Sequence, residues 1–214
     1  MYKVGVTGGI GSGKSVVCDM LRERGVAVYN SDQRAKELMA SDPQLREQLT
    51  ERFGEECFEG GELNRGYLAS RVFGNKEELE ALNAIVHPRV LEDFEAWAEA
   101  EEGLYVVLES AILFESGFDS KVDVAVAVMA PDELRIERTM LRDGVTREQV
   151  EERMRNQLSD DERCARSKYA VVNIELDELE DDVEQLHRRL SYDARHKESY
   201  ALRGAGHGHY QPHA

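Results

Sequence analysis

Nowhere in the 214 residues does an apolar run approach the length a membrane-spanning helix needs, about 20 residues. The chain starts directly on a strand-like pattern, Tyr2-Lys3-Val4-Gly5-Val6-Thr7, so no signal peptide is expected. Cysteine is scarce as well. Cys18, Cys57 and Cys164 are scattered and odd in number, with no metal-ligand spacing. That excludes a disulfide framework and fits reduced thiols in a cytoplasm. Positive charge is also short: 27 Lys and Arg face 43 Asp and Glu, a formal net charge of −16. Such a chain repels nucleic acid and anionic membranes at long range, so neither is an expected partner. A nucleotide would be repelled too, and a nucleotide site here must gather positive charge locally. Residues 132–168 do so, with Arg135, Arg138, Arg142, Arg147, Arg153, Arg155, Arg163, Arg166 and Lys168. Most of these are expected to pair with nearby Glu at helical spacing.

The rest of the chain is organised around residues 8–15, Gly-Gly-Ile-Gly-Ser-Gly-Lys-Ser. They follow the first strand and lead into a helical pattern, the context that G-x-x-x-x-G-K-[ST] requires. Gly8, Gly11 and Gly13 let the backbone turn tightly and aim its N–H groups inward at a phosphate. The helix start near Lys14 adds its positive dipole end. Lys14 suits the β- and γ-phosphates of a nucleotide, and the Ser15 hydroxyl suits Mg²⁺. The phosphate-binding set is Gly9, Ile10, Gly11, Ser12, Gly13, Lys14, Ser15 and Val16.

At this length the chain can bury one core, with or without an insertion. Apolar segments at 26–29, 105–108, 122–129 and 170–173 read as further strands of a parallel sheet. Asn30-Ser31-Asp32 follows the second strand, on the rim where an open parallel sheet binds its ligands. A carboxylate there can take the proton of an attacking hydroxyl. Ser31 or Asp32 would equally serve as the cap of the next helix.

Residues 41–102 carry almost no strand pattern and read as a helical insert over the rim. Helices are expected at 43–53, 65–73 and 75–86, with Asn64 and Asn75 as caps. His87-Pro88 is expected to break the pattern, because the residue before proline is pushed from helical angles. A helix then resumes to about Ala100. A lone His before Pro is more often a packing residue than a catalyst. The third strand ends in Glu109, where P-loop enzymes place a second acid. Ala111-Ile112-Leu113-Phe114-Glu115 follows and is either a substrate wall or core. After the fourth strand comes a helix carrying Arg138 and Arg142 on one face. Thr146 and Ser159 then open two capping boxes. Arginines on such a helix–turn–helix suit a lid over the γ-phosphate. Asn173 ends the fifth strand on the same rim, where its amide could face a base. Residues 177–192 form a closing acidic helix, and 195–214 read as a mobile tail whose His207, His209 and His213 are assigned no function.

These blocks, in this order, resemble the dephospho-coenzyme A kinase family. The resemblance rests on residues 7–15, Asn30-Ser31-Asp32, Leu63-Asn64-Arg65, Val72-Phe73, Leu82-Asn83, Val86-His87-Pro88, Leu113-Phe114-Glu115, Arg138 with Arg142-Asp143, Gln157 and Asn173. It implies an α/β fold: a five-stranded parallel P-loop kinase core, an inserted α-helical substrate domain and a helical lid. The core would take 1–40 and 103–192, the insert 41–102 and the lid about 138–167. It also implies transfer of the ATP γ-phosphate to the ribose 3′-hydroxyl of dephospho-coenzyme A. In that reading Asp32 is the general base, with Lys14, Arg138 and Arg142 as the other catalytic groups. Asn173 lies on the adenine side, and His87, Leu113, Phe114 and Glu115 on the acceptor side. The chain departs from the family pattern in three places. Asn30 stands for the first acid of an Asp-x-Asp, Ser110-Ala111 precedes Ile-Leu-Phe-Glu where a proline is usual, and Tyr169-Ala170 replaces Ala-Asp. Another P-loop kinase, of nucleoside or shikimate type, is the alternative. A GTPase switch is disfavoured: D-x-x-G is absent, and Asn75-Lys76-Glu77-Glu78 is no base-recognition run.

Overall fold

Valine-rich segments with little internal charge build the centre of the protein, described over residues 1–197 of a computed structural model. The strands are β1 (Tyr2–Thr7), β2 (Ala27–Asn30), a hairpin β3 (Phe58–Glu59) and β4 (Glu62–Leu63), then β5 (Tyr105–Glu109), β6 (Val124–Met129) and β7 (Tyr169–Val172). Five of them form one sheet in the order β2-β5-β1-β6-β7, every pair parallel. The side chains of β1, β5 and β6 are buried almost throughout, as a parallel sheet covered on both faces demands. Alternation then assigns the faces. Val4, Val6, Val107, Val126 and Val128 pack on one side, and Val106, Leu108 and Ala125 on the other.

The helices are α1 (Lys14–Glu23), α2 (Ser31–Ser41), α3 (Pro43–Phe53), α4 (Arg65–Val72), α5 (Lys76–Ala100), α6 (Asp132–Asp143), α7 (Arg147–Arg155), α8 (Asp160–Arg166) and α9 (Leu176–Arg195). One face of the sheet takes Val17 and Leu21 of α1 with Leu179, Val183, Leu186 and Leu190 of α9. The other takes Leu38 of α2 and Val86, Val90 and Phe94 of α5. A third cluster, Leu49, Phe53, Cys57 and Leu68, binds the inserted helices to one another. Among the described residues no helix is long and apolar enough to cross a membrane.

The expected break at His87-Pro88 does not occur. A single helix of 25 residues runs through it, with Pro88 inside. Proline there costs an i→i−4 hydrogen bond and about 3 kcal/mol. Continuing the helix keeps Val86, Val90 and Phe94 on one buried face, each side chain contributing roughly 1.5–3 kcal/mol. Packing therefore overrides the local preference. Pro88→Ala is expected to raise stability by about 1–3 kcal/mol in denaturant unfolding. A loss would mean that the core requires the proline's distortion. Several boundaries also move: β2 shifts one residue on to Asn30, β6 starts at Val124 rather than 122, β7 ends at Val172 so that Asn173 lies just past it, and α9 continues to Arg195. The expected tail, with its three histidines, otherwise lies outside the described residues.

Candidate active site

All five strand tips deliver chain to one rim. β1 runs into the glycine loop, whose Ser12 N–H bonds back to the Gly9 carbonyl at 3.1 Å. Gly11 and Gly13 have φ of 75° and 87°, in the left-handed region that glycine alone occupies freely. A Cβ on Gly11 would strike the Arg135 carbonyl, and one on Gly13 the Asn173 amide. Gly13 caps α1 with no side-chain hydrogen bond, so the first N–H groups of that helix stay available to an anion. Lys14 is partly buried, and among the described residues its ammonium has no hydrogen bond or ion pair. Burial pushes its pKa down, opposed by the charges of Glu109 and Asp32. A desolvated cation without a partner is costly; phosphate oxygens are the partner this cradle fits.

The acidic side divides its labour. Asn30, directly opposite Glu109 in the sheet register, is the cap of α2: its Oδ1 accepts from the Gln33 N–H at 2.8 Å. Its Nδ2 donates to Glu109 at 2.9 Å. Capping by Ser31 or Asp32 is therefore overturned. Asp32 is the second residue of the helix, exposed, with no side-chain hydrogen bond among the described residues. Its charge acts on both Lys14 and His87, which puts it within electrostatic reach of each. Asn30→Asp would keep the cap but lose the donor and set a second carboxylate against buried Glu109. The new acid's folded pKa would then lie above its unfolded value near 3.9. The folded variant thus binds more protons than its unfolded chain, and stability is lost as pH rises through the carboxylate range. Denaturation should show a deficit of about 1–3 kcal/mol at pH 8 that shrinks toward pH 4.

The acceptor-side expectations separate. Leu113 is fully buried and packs on Gly5, and Phe114 is buried under the Arg166 guanidinium, 4.2 Å from its ring. Leu113 sits in the core, and Phe114 keeps an edge open onto a hollow of about 260 Å³ shared with Asp119, Arg166 and Lys168. Glu115 and His87 instead line a common groove of about 430 Å³ with Asn83, Leu91 and Ser116. The His87 ring stands edge-on to Phe118 at 5.2 Å, and burial pushes its pKa down against the pull of Asp32. Two hollows of about 600 Å³ lie elsewhere, one among α6, α7 and α8 and one beside Met1 and Lys3. The chemistry gathers at the rim rather than in either.

On the lid side, both capping boxes form as expected, at Thr146 and Ser159. Arg138 donates to the Asn173 carbonyl at 3.1 Å and to the Ile174 carbonyl at 3.3 Å. Arg142, one turn on, is exposed and pairs with Asp143. Three groups hold places that the sequence did not assign them. Arg135, buried, donates to the Ile10 carbonyl at 3.0 Å. Gln157 accepts from the Ile10 N–H at 2.9 Å. Arg163, also buried, pairs with Asp160 and Glu115. The spacing of the two arginines from Asp132 and Asp160 looks like ordinary helix-surface pairing; only their burial distinguishes them.

A β1 strand feeding an amide cradle at the centre of a parallel sheet places this chain among the P-loop kinases. A solved shikimate kinase from Acinetobacter baumannii shares the fold, with a TM-score of 0.54 at 16% identity over 90% of this chain and 94% of that one. Other likenesses are closer. A solved Thermus thermophilus protein superposes with a TM-score of 0.77 at 35% identity, covering 90% of this chain and 97% of that one. A dephospho-CoA kinase of Bacteroides fragilis is 47% identical over 172 residues, 80% of this chain and 84% of the relative. One of Salinibacter ruber is 45% identical over 177 residues, 81% and 89% respectively. The family model described as dephospho-CoA kinase matches residues 2–178. The chain belongs to the dephospho-CoA kinase family. Its activity is the ATP-dependent phosphorylation of dephospho-coenzyme A that completes coenzyme A synthesis.

Proposed function

We propose that residues 9–16 hold the ATP phosphates while Asp32 faces the ribose 3′-hydroxyl of dephospho-coenzyme A. The observation that carries this reading is a carboxylate and a lysine on the same rim, Asp32 and Lys14, which feel each other's charge and have no side-chain hydrogen bond or ion pair among the described residues. Asp32 accepts the proton of the 3′-hydroxyl as that oxygen forms its bond to the γ-phosphorus. The bond to the β–γ bridging oxygen breaks, and ADP leaves with the electron pair. Lys14 and the loop amides neutralise the charge on the transferring group. Arg142, exposed and paired among the described residues with its neighbour Asp143, exchanges that partner for the γ-phosphate when the lid, about residues 138–167, closes. Residues 41–102 and the groove of His87 and Glu115 receive the acceptor.

Mg²⁺ fits the donor set. The Ser15 hydroxyl is exposed at the helix start, and Glu109 lies alongside that turn, its charge acting on Lys14 and Cys18. Among the described residues no cluster of three or more His, Cys, Asp or Glu could cage a metal. That suits an ion held mainly by nucleotide phosphates and water. When bound, it would neutralise charge on the β- and γ-oxygens. Three unpaired thiols and the anionic surface favour a cytoplasmic setting. A coupled assay of ADP release tests the acceptor: release is expected only with dephospho-coenzyme A present. Equal release without it, or with a nucleoside in its place, would overturn the proposal.

A further inference from the structure

A planar trans peptide points its C=O and N–H in opposite directions. Whatever grips a loop carbonyl from outside therefore aims the following N–H inward. In the glycine loop two carbonyls are gripped in this way. Arg135 Nε donates to the Ile10 carbonyl at 3.0 Å, and the Asn173 amide donates to the Ser12 carbonyl at 2.9 Å. The N–H groups that follow belong to Gly11 and Gly13, and neither has a partner among the described residues. The intervening N–H groups are already used: Ile10 bonds to Gln157 and Ser12 to Gly9. Alternate peptides thus face out and in.

Both grips are themselves fixed. The Arg135 guanidinium is buried and held by Asp132 at 3.0 Å and Asp160 at 3.4 Å. Asn173 is buried, and its Oδ1 accepts from Arg138 at 3.4 Å, which settles which end of the amide faces the loop. Arg135 and Arg138 lie three apart on α6 and share a face. One acts on the loop directly, the other through Asn173.

We propose that Arg135 and Asn173 are positioning residues, each orienting one loop peptide so that the Gly11 and Gly13 N–H groups meet the nucleotide phosphates. The inference rests on the reading of residues 9–16 as the phosphate cradle. It gives Asn173 a role at the loop beside the expected adenine-side one: one N–H of its amide is committed to the Ser12 carbonyl.

Inorganic pyrophosphate, which carries no base, is the probe. In ¹⁵N-labelled protein it should move both the Gly11 and Gly13 amide resonances. In Arg135→Met the response of Gly11 should fall by half or more while that of Gly13 persists, and Asn173→Ala should show the reverse. Each variant should bind pyrophosphate roughly tenfold more weakly, the worth of about one hydrogen bond to a charged group. Should Arg135→Met fail to fold, the Asn173→Ala spectra decide alone. Both glycines weakened equally, or neither affected, would overturn the proposal and leave the cradle standing. Neither glycine responding in the wild type would instead overturn the cradle.

Discussion

Lys14→Met should lower kcat/KM for phosphoryl transfer by roughly a thousandfold or more, the scale on which P-loop chemistry depends on a single cation at the transferring group. The fold should survive. Lys14 has no hydrogen bond or ion pair to any described residue, so its removal breaks none, and methionine keeps the apolar stem. Burial already holds its pKa below the ordinary value, which means that the native state binds fewer protons than the unfolded chain between the two values. Wild-type stability accordingly rises with pH from the depressed folded value up to that of the unfolded lysine, and the variant should lose this rise. Thermal unfolding at pH 7 should show a melting temperature equal to the wild type's or higher. A collapse of the fold would show that the ammonium supports structure rather than waiting for an anion.

Asp32→Asn should lower kcat by a hundredfold to ten-thousandfold, roughly the range of a lost general base. The KM for ATP should change little. The side chain is exposed and makes no hydrogen bond among the described residues. Its one structural contribution is a negative charge in the first turn of α2, worth no more than about 1 kcal/mol. Steady-state kinetics beside a denaturation curve separate the two effects. A kcat within about tenfold of wild type would remove Asp32 from the chemistry.

The sequence announces some of this more plainly than the rest. Strand segments and the glycine loop are legible because their signals are local: valine runs with little charge, and a lysine at a fixed spacing from the loop glycines. The caps Asn64, Asn75, Thr146 and Ser159 are legible for the same reason. Pro88 misleads because its helical context is decided by Val90 and Phe94 beneath it, which no local rule sees. Leu113 and Phe114 read equally well as wall or as core until Gly5 and Arg166 are known to cover them. Arg135 is the sharpest case. Its partner Asp132 lies at an ordinary helical spacing, whereas the Ile10 carbonyl it holds is 125 residues away. Asn30 falls between: in sequence it is a missing acid, and in the structure its amide is what Glu109 accepts from.

A crystal structure of the complex with ADP, Mg²⁺ and dephospho-coenzyme A tests the account most directly. We expect the β-phosphate oxygens within about 2.7–3.2 Å of the Gly11, Gly13 and Lys14 amides. The acceptor 3′-oxygen should lie within about 2.6–3.2 Å of an Asp32 carboxylate oxygen, or one water away. A 3′-oxygen bound beyond that reach, or an Asp32 turned out of the cleft, would contradict it.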